Sequence, residues 1–238
     1  MMVADQSRTR IRAVVMDVDG TLYSQSLVRR SMALRLLKFT AFHPREGWRA
    51  LRAIKAYRDA QEQIRTLTGS NIASHQIDIA ASRVGESREQ MKNVVLRWME
   101  NEPLDAVGRA RFPGVVEFCE WAQSSGISLA VLSDYPAHSK LKAMNLTSYI
   151  PVVVSAQDPD VDCFKPNPNG LLKAIRQIGV SADEAIYVGD RPEVDLEAAA
   201  AAGVRGVLVG TDHRRPTEAP SMPSWAALKA WVADRVEK

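Results

Sequence analysis

The stretch that most constrains this chain is Val14-Val15-Met16-Asp17-Val18-Asp19-Gly20-Thr21-Leu22. Its first half, with Ile11 and Ala13, is a short apolar run. That is the pattern of a strand buried on both faces, as in a parallel sheet. Two carboxylates one residue apart follow, and Gly20 and Thr21 stop the strand. Open parallel sheets bind ligands beyond the carboxyl ends of their strands, so Asp17 and Asp19 are expected to face a crevice. Like charges this close are costly unless a cation or a shared proton relieves them. Taken alone, Asp-x-Asp-Gly also suits an ordinary strand-to-turn exit. A calcium loop suits it less, because the twelfth position is Val28 and an apolar strand, not a helix, precedes it.

Beyond Leu22 the periodicity changes. From Ser24 to about Ala110 the spacing predicts helices and no strand. Leu27, Met32, Leu36, Leu37 and Phe39 mark the first, broken near His43-Pro44. Trp48, Leu51, Ile54, Tyr57 and Ile64 mark a second, Ile72, Ile77 and Ile79 a third. Met91, Val94, Val95, Trp98 and Met99 mark a fourth, which Pro103 ends. From Phe112-Pro113-Gly114 onward, strands and helices alternate with short connections. Strands are expected at 127–132, 150–154, 185–188 and 204–209. Helices are expected at 115–121, 137–144, 171–178, 194–202 and 225–236. This is an α/β chain with a doubly wound parallel sheet, interrupted by an all-helical insert. The expected division is an α/β core of residues 1–23 and 111–238 and a helical cap of residues 24–110.

The 238 residues, 46% of them hydrophobic, suffice for one sizeable core or a core with a smaller domain. A net charge of +3 is too mild to argue for nucleic acid. The first ten residues hold no apolar core, so no signal peptide is expected. No apolar run approaches the ~20 residues of a membrane span. Cys119 and Cys163 lack metal spacing and read as plain core or loop residues. Two thiols in a chain of this size suit a reducing compartment, and the expected location is cytoplasmic.

Polar residues recur at the ends of otherwise apolar elements: Asp17 and Asp19, Ser133, Lys165, and Asp190 with Asp195 beyond it. Each alone is an unremarkable loop residue. Gathered at one sheet edge, they have a chemical meaning. Asp17 and Asp190 offer hard oxygen ligands for Mg²⁺, which favours phosphate oxygens. The metal would neutralise the acidic cluster and align a phosphoryl group. A carboxylate could then attack phosphorus. Lys165 and Ser133 would place charge and a hydroxyl donor on the transferring group, with Thr21 and Asp134 as further phosphate-binding candidates.

These motifs, Asp17-Val18-Asp19-Gly20-Thr21-Leu22, Ser133, Lys165-Pro166 and Gly189-Asp190-Arg191-Pro192-Glu193-Val194-Asp195, occur in the order that resembles the haloacid dehalogenase-like hydrolase superfamily. The resemblance spans most of the chain outside the insert. It implies that Asp17 is the nucleophile and Asp19 the general acid/base. It implies that Asp17, the main-chain carbonyl of Asp19 and Asp190 hold Mg²⁺, with Asp195 supporting the metal and Lys165. The insert resembles the helical cap that follows the first motif in part of this superfamily. Many relatives have Asn where this chain has Asp134. Dehalogenating members lack an acid/base carboxylate at the Asp19 position, so its presence favours phosphate esters, whose leaving alkoxide needs a proton.

The expected activity is therefore Mg²⁺-dependent hydrolysis of a small phosphorylated metabolite through an aspartyl phosphate. A phosphomutase, a phosphoacceptor signalling domain and a degenerate binding member are the competing readings. The phosphoacceptor module is shorter and has no helical insert, and the intact acidic and basic set speaks against degeneracy. Lys38, Lys55 and Lys92 match no Schiff-base pattern, and His43 and His75 read as structural. Between Ser24 and Arg65 ten Lys/Arg face three acids. Helix faces in water account for this most simply. Steering of an anionic substrate and contact with an acidic membrane surface are the functional accounts. No nucleic-acid partner is expected, and neither substrate nor oligomeric state is legible.

Overall fold

The structure, a computed structural model, describes residues 10–69, 71–210 and 218–236. Most of the amino-terminal stretch read above for a leader lies outside the described residues.

Six parallel strands form one sheet in the order β3-β2-β1-β4-β5-β6. They are β1 Ala13–Met16, β2 Ser128–Ser133, β3 Val152–Ser155, β4 Ala185–Gly189, β5 Arg205–Val209 and β6 Ser221–Met222. β1 pairs with β2 on one side and β4 on the other, so the strand order reverses beside it. A crevice outside the carboxyl ends of the strands at such a reversal is where this architecture binds ligands.

All four side chains of β1 are buried, as the apolar run required. Val14 and Met16 join the core of one face, with Leu129, Val131, Ile186 and Val188. Ala13 and Val15 join the other, with Ala130, Leu132, Ala185 and Tyr187. This two-residue alternation places a hydrophobic layer on both sides of the sheet. Helices α6 Val115–Ser124, α7 His138–Ala143 and α10 Trp225–Val236 cover the first face. Helices α8 Asn169–Ile178 and α9 Glu197–Ala201 cover the second. Cys119 and Cys163 are buried and unpaired.

Between β1 and β2 lie α1 Gln25–Phe42, α2 Pro44–Gln63, α3 Ile72–Val84, α4 Arg88–Val95 and α5 Leu104–Arg109. A bridge from Tyr23 to Arg111 closes the point where the chain leaves and rejoins the sheet layer. Ser24 N–H donates to Ala110 O at 2.9 Å, and Phe112 N–H to Leu22 O at 3.0 Å.

The insert departs from the sequence reading in three ways. The fourth helix does not run straight to Pro103: α4 passes into a π-helical turn, Leu96–Asn101, and α5 then starts a new helix. The buried face of α2 is not the one marked by Trp48 and Leu51, which are exposed. It is the small-residue face of Ala50, Ala53, Ala56 and Ala60, with Tyr57. Small side chains let neighbouring helices approach closely. Thr40 of α1 stands where a Cβ on Gly47 would meet it at 2.2 Å. Likewise Leu27 and Leu37 of α1 point outward, and Val28 and Leu36 pack. In the core, β6 was not expected, and β3 begins only after Pro151, which cannot donate to a ladder.

Candidate active site

The register brings the ends of three strands level. Met16 pairs with Val131 of β2 and with Val188 of β4. One step further along the three strands stand Asp17, Leu132 and Gly189, followed by Val18, Ser133 and Asp190. The carboxylates after β1 and β4 therefore share one edge with the hydroxyl that ends β2. Two glycines make the edge possible. A Cβ on Gly20, at φ +109°, would lie 2.4 Å from Asp190 Oδ2, and one on Gly189 would lie 2.4 Å from Asp195. Only a residue without a side chain lets these carboxylates approach.

Lys165 is the centre of one buried network. Its Nζ donates to Asp17 Oδ1 at 2.5 Å, Asp195 Oδ1 at 2.8 Å and Tyr187 Oη at 3.2 Å. Asp195 Oδ2 accepts from the backbone N–H groups of Asp190 and Arg191, at 3.2 and 3.0 Å. Its two oxygens thus hold Lys165 on one side and the loop after β4 on the other. Thr21 Oγ1 lies 2.9 Å from Asp17 Oδ2 and 3.3 Å from Asp190 Oδ1. With one proton, it donates to one of them at a time.

A second network holds Asp19. Lys140 Nζ meets both of its carboxylate oxygens, at 2.6 and 2.7 Å. The Tyr23 hydroxyl also donates to Asp19, and Ser133 Oγ lies 3.4 Å from it. Ser133 Oγ in turn accepts from the backbone N–H of Tyr135. The sequence reading missed Lys140 and Tyr23. For Lys140 a signal existed. Ala137, Lys140, Leu141 and Met144 follow the three-four spacing of a buried helix face, and all four are buried. A lysine on such a face needs an anionic partner.

Asp134 faces a different way from the other candidates. Its carboxylate accepts from Gln61 Nε2 at 2.9 Å and Arg65 at 3.1 Å, both from the helical insert, and from the backbone N–H of Lys165 at 3.3 Å. Arg65 also donates to Lys165 O at 2.8 Å. Asp162 accepts the N–H groups of Asn71 and Ile72 at the start of α3. The helices are thereby pinned over the crevice by polar contacts on both sides.

The electrostatics divide the two carboxylates of the first motif. Burial, against the opposing pull of Lys165, pushes Asp17 up to about 8, and the Asp195, Asp190 and Asp19 charges add to it. Burial and Asp195 push Asp190 up to about 6. Burial would raise Asp19 as well, but Lys140 and the Tyr23 hydrogen bond outweigh it and hold it below the ordinary carboxylate range. Asp17, Asp190 and Asp195 each offer a carboxylate oxygen within 4.8 Å of the others. Asp195 Oδ2 is turned to the backbone of the loop after β4, whereas burial and the surrounding carboxylates push Asp17 and Asp190 towards protonation. Hard oxygen donors held towards protonation by burial and by one another's charge, even with Lys165 beside them, are a fit for Mg²⁺.

A model of the haloacid dehalogenase-like hydrolases matches residues 11–203. The chain belongs to that family. It is a hydrolase of the phosphatase type, in keeping with the carboxylate pair at Asp17 and Asp19. The chain is 28% identical over 205 residues to glyceraldehyde 3-phosphate phosphatase of Methanopyrus kandleri, covering 84% of each chain. It is 26% identical to phosphoglycolate phosphatase of Pseudomonas putida, over 88% of this chain and 74% of that one. Among solved structures, the 2-haloacid dehalogenase of Pseudomonas syringae superposes with a TM-score of 0.66 at 20% identity, covering 94% of this chain and 99% of that one. The β-phosphoglucomutase of Clostridium difficile superposes with 0.65 at 15% identity, covering 95% and 97%. A dehalogenase and a mutase share this fold, so the fold does not select the reaction.

Proposed function

We propose that the protein is an Mg²⁺-dependent phosphoric monoester hydrolase of a small phosphorylated metabolite, working through a phosphoryl group carried on Asp17. The observation that carries this is the Asp17–Asp190–Lys165 arrangement: two desolvated carboxylates with raised pKa beside a buried ammonium.

In this reading Asp17, the main-chain carbonyl of Asp19 and Asp190 hold Mg²⁺. The cation supplies charge neutralisation for the acidic cluster and for the incoming phosphoryl oxygens. Asp17 attacks phosphorus as a carboxylate, and Thr21 orients its second oxygen. Lys165, steadied by Asp195 and Tyr187, places positive charge beside the transferring group. Ser133 donates its hydroxyl to a phosphoryl oxygen. The Asp134 side chain acts on the cap, through Gln61 and Arg65, and leaves phosphate contact to its neighbours. Asp19, a carboxylate while Lys140 grips it, serves as base for the water that cleaves the acyl phosphate. Its acid role requires the Lys140 contact to loosen as substrate binds.

Residues 24–110 form the cap in this account, with the Tyr23–Arg111 bridge as its border. Arg29 of α1 and Arg58 of α2 lie within reach of each other's charge, and Arg58 also feels Asp19 and Tyr23. Two cations at the crevice suit a substrate with a second anionic group, such as a carboxylate. The named substrate of the Pseudomonas putida relative carries one.

The test is hydrolysis of a panel of phosphomonoesters, with Mg²⁺ and with excess EDTA. Phosphate release that requires Mg²⁺ supports the reading. Full turnover in EDTA, or transfer of the phosphoryl group back to substrate without release, contradicts it.

A further inference from the structure

We propose that the α1–α2 hairpin docks on an anionic lipid surface. The catalytic reading does not account for this face, and the inference stands independently of it.

Among the described residues, six of the eight exposed large hydrophobic residues lie on these two helices: Leu27, Leu34, Leu37 and Phe42 on α1, Trp48 and Leu51 on α2. Phe42 is 82% exposed and Leu37 67%, one on each of the last two turns before the corner at His43. On α1, Leu27, Leu34 and Ala41 recur every seven residues and form one line along the helix, with Leu37 beside it. The opposite line, Val28, Met32, Leu36 and Phe39, packs into the protein. The outward line is therefore not a core face waiting for its own chain. Exposed large apolar side chains gathered on neighbouring helices mark interaction sites.

Charge selects the occupant. Helix α1 holds four Lys/Arg and no Asp or Glu. Arg30 and Lys38 flank the apolar line, and Arg45 and Arg52 continue the basic character beside Trp48. All four are exposed, and none of the four makes an ion pair among the described residues. Leucine and phenylalanine between unpaired cations have one natural complement, a bilayer interface with anionic headgroups. The apolar tips enter the acyl boundary, and the long cationic side chains reach the phosphates. A second copy would set the same cations against each other, and a nucleic acid would leave the leucines and Phe42 without apolar contact. No helix among the described residues is long and apolar enough to cross a membrane, so the contact is peripheral.

The experiment is co-sedimentation of the full chain with vesicles of phosphatidylcholine alone and of phosphatidylcholine with phosphatidylglycerol, at low and high salt. Binding to the anionic vesicles only, weakened at least tenfold by high salt, is expected. Two double variants, Leu37→Glu with Phe42→Glu and Lys38→Glu with Arg45→Glu, should each reduce it at least tenfold. All four positions are exposed, so circular dichroism and melting temperature should match the parent. Failure to sediment with anionic vesicles would overturn the proposal, as would binding that either variant leaves unchanged. A dimer in solution that Leu37→Glu with Phe42→Glu dissolves, or retention on duplex DNA without vesicle binding, would overturn it in favour of another occupant.

Discussion

Lys165 Nζ stands 2.5 Å from Asp17 Oδ1, and both side chains are shut away from solvent at the carboxyl edge of the sheet. Asp195 shares the same ammonium. Removing one member of a buried set leaves the others without compensation, which typically costs ~3–5 kcal/mol. Lys165→Met should therefore lower unfolding free energy by about 3 kcal/mol or more. Lys142→Met, at an exposed position on the helix after β2, should change it little. Urea denaturation of both variants measures the difference. A loss for Lys165→Met no larger than for Lys142→Met would mean that the ammonium does not compensate the carboxylates.

The raised carboxylates make a linkage prediction. Unperturbed, Asp ionises near 3.8, whereas folded Asp17 holds its proton to about 8 and Asp190 to about 6. Between those limits the metal-free folded state binds more protons than the unfolded chain. Its stability should therefore fall as pH rises from about 4 to 8, the reverse of a salt-bridged carboxylate. Mg²⁺ needs the ionised oxygens, so its binding at pH 7 should release protons. Titration calorimetry in two buffers of different ionisation enthalpy reads this directly. Equal heats in the two buffers would show that no proton leaves the cluster.

Lys140 makes a separate claim about Asp19. Its two contacts hold Asp19 below the ordinary carboxylate range. An adjacent opposite charge typically lowers a carboxylate by ~1–3 pH units. Lys140→Met should move the acid limb of the dephosphorylation rate upward by about one unit or more. A merely structural lysine would lower the rate at every pH without moving the limb. Single-turnover decay of the phosphorylated protein across pH separates the two.

How much of this was legible beforehand follows from what each residue answers to. The central strand was legible because a run buried on both faces needs no partner to declare itself: Ala13 to Met16 is apolar at every position. The carboxyl-edge set was legible because Asp17, Ser133 and Asp190 each stand at the end of an apolar strand, whereas Lys165, in the loop between β3 and α8, showed itself only through the Lys165-Pro166 match. The faces of the cap were not. Helices α1 and α2 carry apolar residues all round, so Trp48 and Leu51 mark a periodicity as good as that of Ala50, Ala53 and Ala60. The packing of Ala53, Ala56 and Ala60 against Ile77, Ala80 and Met91, and the close approach of Thr40 to Gly47, decide between them. The π-helical turn after Val95 keeps helical spacing almost intact, which hides it in a pattern search. Lys140, Tyr23 and Arg65 act across 121, 4 and 69 residues of chain from the carboxylates they meet. Of these, Lys140 showed itself only as a charge on a buried face. The contacts of the Asp134 carboxylate with Gln61 and Arg65 reach across 73 and 69 residues, and no local pattern announces them.

The central claim is that Asp17 carries the phosphoryl group. Rapid acid quench of the Mg²⁺-loaded protein with a phosphomonoester that it hydrolyses, followed by mass spectrometry of the peptide spanning Ile11 to Leu22, tests it most directly. The account predicts a gain of one phosphoryl group on Asp17 in the parent protein and none in Asp17→Asn, whose fold should be intact because the amide is near-isosteric. Phosphoryl transfer that persists in Asp17→Asn, or appears on another residue of the parent, would contradict it.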